Sequence, residues 1–385
     1  MAAIHLPRTI RIGGGVLQEL PEALAAAGLS APLIVTDGWI AASGILERVE
    51  RLLTAAGIAH RTFTGVVPDP TVEAIEAGCQ LLSAGHHDCV IGLGGGSPID
   101  SAKIIAVKRD RPVAISALKA PHQEDAPGLP IIAVPTTAGT GSEATRFTII
   151  TDTATDEKML CAGLAYLPQI AVVDYELTLS KPARLTADTG IDSLVHAIEA
   201  YVSRRANPFT DSMALSAMRL IWPNLPRACA NPGDRAAREA LMLGALQGGI
   251  AFSNSSVALV HGMSRPIGAH FHVSHGLSNA MLMPVVTQWS APAALGRYAD
   301  CSRAMSLADD HAGDQAAVGA LVEALHRINA DLSVPSPAAY GIDQARWDDL
   351  LPVMAAQALA SGSPGNNPRV PDADEIIALY QQAWA

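Results

Sequence analysis

The first half of the chain alternates short apolar runs with helical patterns, and that rhythm restricts it to very few folds. Apolar runs recur at APLIVTDG, CVIGLGGG, LPIIAVPTT and QIAVVD, each four to six residues long. Between the first two lie amphipathic stretches from Ile40 to Ala56 and from Thr71 to Ala84. Strands separated by helices must pair in parallel, with the helices covering the sheet, so residues 1–180 read as an α/β domain with a Rossmann-like parallel sheet. The leading HLPRTIRIGGG, with Gly13 to Gly15, reads as an extra β-hairpin at the sheet edge.

After residue 180 the character changes. Pro208–Ala230, Asp234–Phe252 and Ala316–Asp331 are rich in Ala and Leu, keep a helical period and contain few β-branched runs. SKPAR (180–184) reads as a hinge and residues 181–385 as an all-helical domain. A chain of 385 residues can bury a large core in more than one domain, and 49% hydrophobic against 16% charged residues leaves little of it disordered.

A formal net charge of -11 argues against nucleic acid or an anionic membrane surface as partner. No apolar run reaches the roughly 18 residues a transmembrane helix needs, and MAAIHLPRTIRIGGG lacks the apolar centre of a signal peptide. The five cysteines are scattered, odd in number and without CxxC spacing, which predicts free thiols in a reducing cytoplasm.

GLGGGSPIDSAK (92–103) directly follows a buried strand. Gly94, Gly95 and Gly96 let backbone approach a ligand; Ser97 suits an N-cap, Pro98 the first helical position and Asp100 the back-bonding position of a capping box. The helix then starts at the glycines with free N–H groups aimed at an anion, and a pyrophosphate fits. A well-capped turn without a ligand is the simpler reading, and the pattern is not GxGxxG. Asp37, closing LIVTD, is either a turn former or an acid that bonds an adenosine ribose and repels a 2′-phosphate, favouring NAD over NADP. It precedes the glycines instead of following them by about 20 residues. A second turn, VPTTAGTGSEAT (134–145), supplies the hydroxyls of Thr136, Thr137 and Thr140.

Asp192 and His196 lie four apart in TGIDSLVHAIEAY, on one face of a helix. His261 and His275 bracket HGMSRPIGAHFHVSH, a Gly-broken stretch able to return two imidazoles to one point. One carboxylate and three neutral imidazoles suit Fe²⁺ or Zn²⁺. Taken singly, these positions read as a capping acid and core or surface histidines. Four histidines within fifteen residues (His261, His270, His272, His275) favour a polar site.

GGGSPIDSAK, PTTAGTGSEAT, LTADTGIDSLVHAIEAY, HGMSRPIGA followed by HVSHGLSNA, and the late NNPR resemble, in order and spacing, the iron-containing (group III) alcohol dehydrogenase family. The resemblance covers nearly the whole chain. It implies an N-terminal dinucleotide-binding domain, a helical C-terminal domain, the dehydroquinate synthase-like architecture, and a catalytic metal in the cleft between the domains. By position, Asp192, His196, His261 and His275 fall on the family's metal ligands and Gly95, Gly96 and Ser97 on its pyrophosphate turn. Thr136, Thr137 and Thr140 fall on its nucleotide-contacting loop, Asp37 on an acid that disfavours NADP, and Lys158 on a lysine near the cofactor ribose. Phe147 and Phe252 are candidate pocket walls or core. The implied activity is metal-dependent hydride transfer between NAD(H) and a small alcohol or aldehyde, in a homo-oligomer of two or more subunits.

One position departs from the family pattern. Many relatives resemble HGMAHPLGA, with a proton-relaying histidine where this chain has Arg265. Arginine keeps its proton at any accessible pH, which leaves His270, His272 or the ribose hydroxyls and water to relay it. Arg265 instead reads either as an anchor for a carboxylate, sulfonate or phosphonate on the substrate or as a buried arginine paired with an acid. The rival activities are a dehydroquinate synthase-like NAD- and metal-dependent lyase, a hydroxyacid–oxoacid transhydrogenase with retained NAD, and a non-enzymatic metal- or nucleotide-binding protein.

Overall fold

A computed structural model describes residues 2–109, 111, 113–155 and 157–385, which form two compact units: Ile4–Ser180, and Lys181–Ala385 together with the extreme N-terminus. The first unit is built on eight strands: β1 (Thr9–Ile12), β2 (Pro32–Asp37), β3 (Arg61–Val66), β4 (Cys89–Gly94), β5 (Ile131–Pro135), β6 (Phe147–Asp152), β7 (Glu157–Ala162) and β8 (Ile170–Val173). Six of them make one parallel sheet in the order β1-β8-β5-β4-β2-β3. Its helices are α1 (Leu20–Ala26), α2 (Gly38–Ala42), α3 (Ile45–Ala55), α4 (Val72–Ser83) and α5 (Gly96–Lys108).

The central strands are apolar throughout because both faces of the sheet are covered. Successive side chains alternate between two cores. Leu33 and Val35 of β2, Val90 of β4 and Ile131 of β5 enter the core that α4 and α5 close. Ile34, Ile91, Leu93, Ile132 and Val134 enter the opposite core, with Leu20, Leu24, Val49 and Leu53 of α1 and α3.

Three local expectations need correction. The N-terminal segment is one strand, β1, parallel to β8 at the sheet edge, and not a hairpin. After Gly13–Gly15 the chain is captured by the buried carboxylate of Asp174, which accepts from the N–H groups of Gly15 (3.0 Å) and Leu17 (3.2 Å), so it turns into a helix before a second strand can form. The stretch from Ile40 to Ala56 is two helices, broken at Gly44 with φ 81°. A separate antiparallel hairpin, β6–β7, and the edge strand β3 escape a search for continuous apolar runs, since buried positions are interspersed with half-buried ones in β6 and β7 and only Val66 of β3 is buried.

The second unit is helical: α6 (Ala183–Val202), α7 (Pro208–Ala230), α8 (Arg235–Asn254), α9 (Leu259–Phe271), α10 (His275–Ser290), α11 (Leu295–Ala304), α12 (Asp314–Asp331), α13 (Pro337–Tyr340), α14 (Gln344–Ala360) and α15 (Ala373–Ala383). Helix α6 is buried along nearly its whole length, packed by α7, α8 and α10. A helix enclosed in this way must be apolar all round, and any polar side chain on it needs a partner or a function. Among the described residues no single helix is long and apolar enough to cross a membrane, and all five cysteines are free.

Candidate functional site

Three polar residues of α6 meet that condition together. Asp192, His196 and Glu199 stand at i, i+4 and i+7 on one face and are all buried. Asp192, His196, His261 of α9 and His275 of α10 each offer one donor atom, and the four atoms lie within 4.8 Å of one another. The Nε2 atoms of His196, His261 and His275 are 3.8, 3.6 and 3.7 Å from Asp192 Oδ1. Four donors about 2.1 Å from a tetrahedral ion would be about 3.4 Å apart, so the three histidines need move only a few tenths of an ångström toward Asp192 Oδ1. Burial alone would raise the Asp192 carboxyl, but His196, His275 and His261 together hold it well below the usual carboxylate range. It is an anion facing three imidazoles, a donor set suited to Fe²⁺ or Zn²⁺.

The surroundings fix these four side chains. Glu199 Oε2 accepts from His261 Nδ1 (2.7 Å), which leaves Nε2 as the atom turned to the cluster. The same carboxylate accepts from the N–H groups of Ala258 (2.8 Å) and Val260 (2.6 Å), capping α9, whose own N-cap residue has no side-chain acceptor. The His196 ring is stacked between Phe252 (centroids 4.4 Å apart) and His261 (4.6 Å). Phe252 is therefore a wall of the cluster. Gly276 brings α10 against α6: a Cβ there would sit 2.3 Å from the Asp188 carbonyl oxygen.

Neither Glu199 nor Asn279 was singled out from the sequence, although each carried a signal. Glu199 continues the Asp192–His196 face, and Asn279 lies one helical turn from His275. The Asn279 side chain is buried, with Nδ2 2.6 Å from Asp192 Oδ1.

Arg265 lies one turn after His261 on α9. Half-buried, it donates to Ser363 Oγ (3.1 Å), its Nε has no hydrogen-bond partner, and no carboxylate is within ion-pair distance among the described residues. The reading as an arginine paired with an acid is thus corrected. Burial pushes its pKa down to about 10 while Glu199 holds it up, so the guanidinium stays charged at neutral pH. His270 is tied to Gln357 Oε1 (2.9 Å). His272 is exposed and ends α9 in the left-handed conformation, φ 55°.

In the first unit, α5 begins two residues earlier than its capping signals predict. Gly95 is the N-cap and offers no side chain, Ser97 and Pro98 lie inside the first turn, and Asp100 does not cap. The Asp100 carboxylate accepts instead from Ser142 Oγ (2.6 Å) and the Ile149 N–H (2.9 Å), tying α5 to the second turn. The physical reason is Gly94, at φ 149°, which carries the chain into the helix before Ser97 can act. With no side-chain cap, the N–H groups of Gly96 and Ser97 stay available to an anion.

The two turns pack against each other. A Cβ on Gly95 would touch Thr137 Oγ1 (3.4 Å) and one on Gly96 would meet Thr140 Cγ2 (2.9 Å). Thr136 is fully buried, and its N–H donates to the Gly94 carbonyl (2.8 Å). Asp37 Oδ1 caps α2 through the Ile40 N–H (2.8 Å). Lys158 pairs with Asp69 (2.8 Å), and the Phe147 carbonyl accepts from the buried Lys103 ammonium (2.7 Å).

A parallel sheet with a glycine-opened helix start, and a helical unit with an Asp–His₃ cluster, define a metal- and dinucleotide-dependent oxidoreductase. The chain belongs to the iron-containing alcohol dehydrogenases: that family's model matches residues 7–175 and the model of its C-terminal part residues 186–384. It is 34% identical over 381 residues to lactaldehyde reductase of Escherichia coli, covering 98% of each chain. Among solved structures it matches 1,3-propanediol oxidoreductase with a TM-score of 0.95 and 32% identity, over 100% of both chains. It also matches sulfoacetaldehyde reductase from Bifidobacterium kashiwanohense in complex with NAD⁺ (TM-score 0.88, 28% identity, 100% of this chain and 99% of that one). The chain is accordingly an NAD(H)-linked, metal-dependent alcohol dehydrogenase.

Proposed function

We propose that this enzyme interconverts a small aldehyde bearing an anionic group and the corresponding alcohol. The observation that carries the proposal is Arg265: a charged, half-buried guanidinium one helical turn from a metal-ligand candidate, without a carboxylate partner among the described residues. A guanidinium presents parallel N–H donors to a carboxylate or sulfonate, and a pair of that kind is strong where water is scarce. A one-turn separation, about 6 Å between side-chain origins, suits a two- or three-carbon substrate with an aldehyde at one end and an anion at the other. The sulfonated aldehyde in the name of one relative supports the same substrate class.

In this reading Asp192, His196, His261 and His275 hold Fe²⁺, for which Zn²⁺ is the alternative, and Glu199 keeps His261 in the donating tautomer. The bound ion supplies Lewis acidity at the substrate oxygen, and the bound nicotinamide gives or takes the hydride. The free N–H groups at Gly96 and Ser97 receive the pyrophosphate, with Gly94 and Gly95 leaving room for it. Thr137 and Thr140 line the approach, while Thr136 and Asp100 hold the two turns together. Asp37 has a second carboxylate oxygen for ribose hydroxyls and disfavours a 2′-phosphate, so NAD is preferred. Lys158, steadied by Asp69, stands near the ribose, and exposed His272 exchanges the proton with water.

The test compares kcat/KM for sulfoacetaldehyde and for propanal in the wild type and in Arg265→Ala. Loss of the anchor should cost about 10–100-fold with the sulfonate and far less with propanal. Equal losses for the two substrates would remove the anchor.

A further inference from the structure

The buried ammonium of Lys103 spends all its hydrogens on uncharged acceptors of one segment. Lys103 stands on α5 two turns beyond Gly96 and is 0% exposed. It donates to the Thr145 carbonyl (3.1 Å), to Thr145 Oγ1 (3.0 Å) and to the Phe147 carbonyl (2.7 Å). An ammonium has three hydrogens, and here each has an acceptor. Asp100 Oδ1 is 4.0 Å away, outside hydrogen-bond reach, and accepts from Ser142 Oγ instead. A methionine would fill the same space without taking a charge out of water, so it is the charge that calls for a role.

Those acceptors lie where the second turn runs into β6. The Thr145 N–H donates to the Ser142 carbonyl (3.4 Å), and the Ser142 N–H to Thr140 Oγ1 (3.3 Å). Thr140 is the residue whose Cγ2 a Cβ on Gly96 would meet. Lys103 is thus linked, through Thr145 and Ser142, to the threonine that borders the glycine-opened start of α5. We propose that Lys103 is a positioning residue for the dinucleotide, its ammonium clasping the second turn to α5 and so setting Thr140 against the free N–H groups of Gly96 and Ser97. A neutral amine has only two hydrogens, and its lone pair would face an oxygen, so the clasp needs the proton.

That requirement gives the role a pH signature. Burial pulls the ammonium down to about 8, while Asp100 and Glu143, the charged groups facing it, hold it up. Both acids are ionised above about pH 7.5, because Glu143 is pushed up only to about 7. Cys161 and Tyr166, in the core that α5 closes, are pushed up to about 12 and beyond and stay neutral, and Glu76 of α4 is spent on Lys108. Between about pH 7.5 and about pH 9.5, Lys103 is therefore the group of this set that changes charge.

The role presupposes that the second turn meets the dinucleotide, and the test separates the two. NADH is titrated, by its fluorescence, into wild type, Lys103→Met, Thr145→Val and Thr140→Ala at those two pH values. Wild type should bind roughly 10-fold more weakly at the higher pH. Lys103→Met should bind roughly 10–100-fold more weakly than wild type at the lower pH and lose nothing further at the higher one. A pH-independent wild-type affinity, or wild-type affinity in Lys103→Met, would overturn the clasp. In that event, weakened binding by Thr140→Ala would keep the second turn in the cofactor site, and unaltered binding there would remove both readings. Circular dichroism shows whether Lys103→Met is folded. Were it not, the wild-type pH profile decides together with Thr145→Val, which deletes one acceptor and should bind about 3–10-fold more weakly.

Discussion

Glu199 does three things with one carboxylate: it accepts two backbone N–H groups and orients His261. Replacing it with Gln keeps an acceptor for the backbone but removes the charge that holds the His261 tautomer. We expect Glu199→Gln to remain folded and to bind Fe²⁺ or Co²⁺ roughly 10–100-fold more weakly, as read by metal titration. Unchanged affinity would reduce Glu199 to a helix cap. Glu143, in the turn after Gly141, gives a prediction on stability. Burial pushes its carboxyl up to about 7 from an ordinary value near 4.5, although the Lys103 ammonium pulls it back. An acid whose native pKa is raised holds its proton more tightly in the folded state. Its contribution is therefore intact below about pH 4.5 and is lost as the pH rises through about 7. Glu143→Gln never ionises, so its stability relative to wild type should improve between about pH 5 and about pH 8 by up to about 3 kcal/mol in urea unfolding. A gap independent of pH would show that Glu143 does not titrate in that window.

Among the elements, α6, α9 and α10 make the cluster, and their approach depends on small residues at the crossings. Gly276 follows His275, a candidate ligand, at the first turn of α10, where the Asp188 carbonyl of α6 leaves no room for a methyl group. Gly276→Ala should push the two helices apart, destabilising the protein by about 1–3 kcal/mol and weakening metal binding at the same time. Thermal melting with and without Co²⁺ separates the two effects; a loss of stability with unaltered affinity would mean that α10 moves without carrying His275 away. Capping signals proved less reliable at this scale than apolar period. The Ser97–Pro98–Asp100 pattern promised a cap, yet the strain-tolerant Gly94 started α5 early and freed Asp100 to bind Ser142 and Ile149. By contrast, α4 and α7 begin at Thr71 and Asn207, whose side chains accept from the first turns as such residues do.

For the molecule as a whole, the four candidate ligands belong to the unit starting at Lys181 and the glycine turn to the unit ending at Ser180. Removing the metal should then act locally. At a hundred-fold excess over Kd an ion adds about 2.7 kcal/mol to whatever it binds. Chelation should raise amide exchange in α6, α9 and α10 and leave β4 and β5 unchanged; an equal rise in both sets would show that the units unfold together. Much of the architecture was legible beforehand. The parallel strands β2, β4, β5 and β8 announce themselves because a strand covered on both faces has nothing polar to interrupt it. The edge strand β3 and the hairpin β6–β7 did not, since such strands mix polar and apolar residues as loops do, while β1 was legible as an edge strand but was taken for a hairpin. The chain alone determined which residue types carry the chemistry: an Asp–His pair at one helical turn, a histidine-dense segment and a glycine-opened helix start. Those are local patterns, set by spacing along a single element. Only the tertiary structure decided that three helices converge on Asp192 Oδ1, that Glu199 and Asn279 stand beside the candidate ligands, and that Arg265 keeps its charge without an acid among the described residues. Convergence and pairing are properties of packing between distant segments, and spacing along one segment does not encode them.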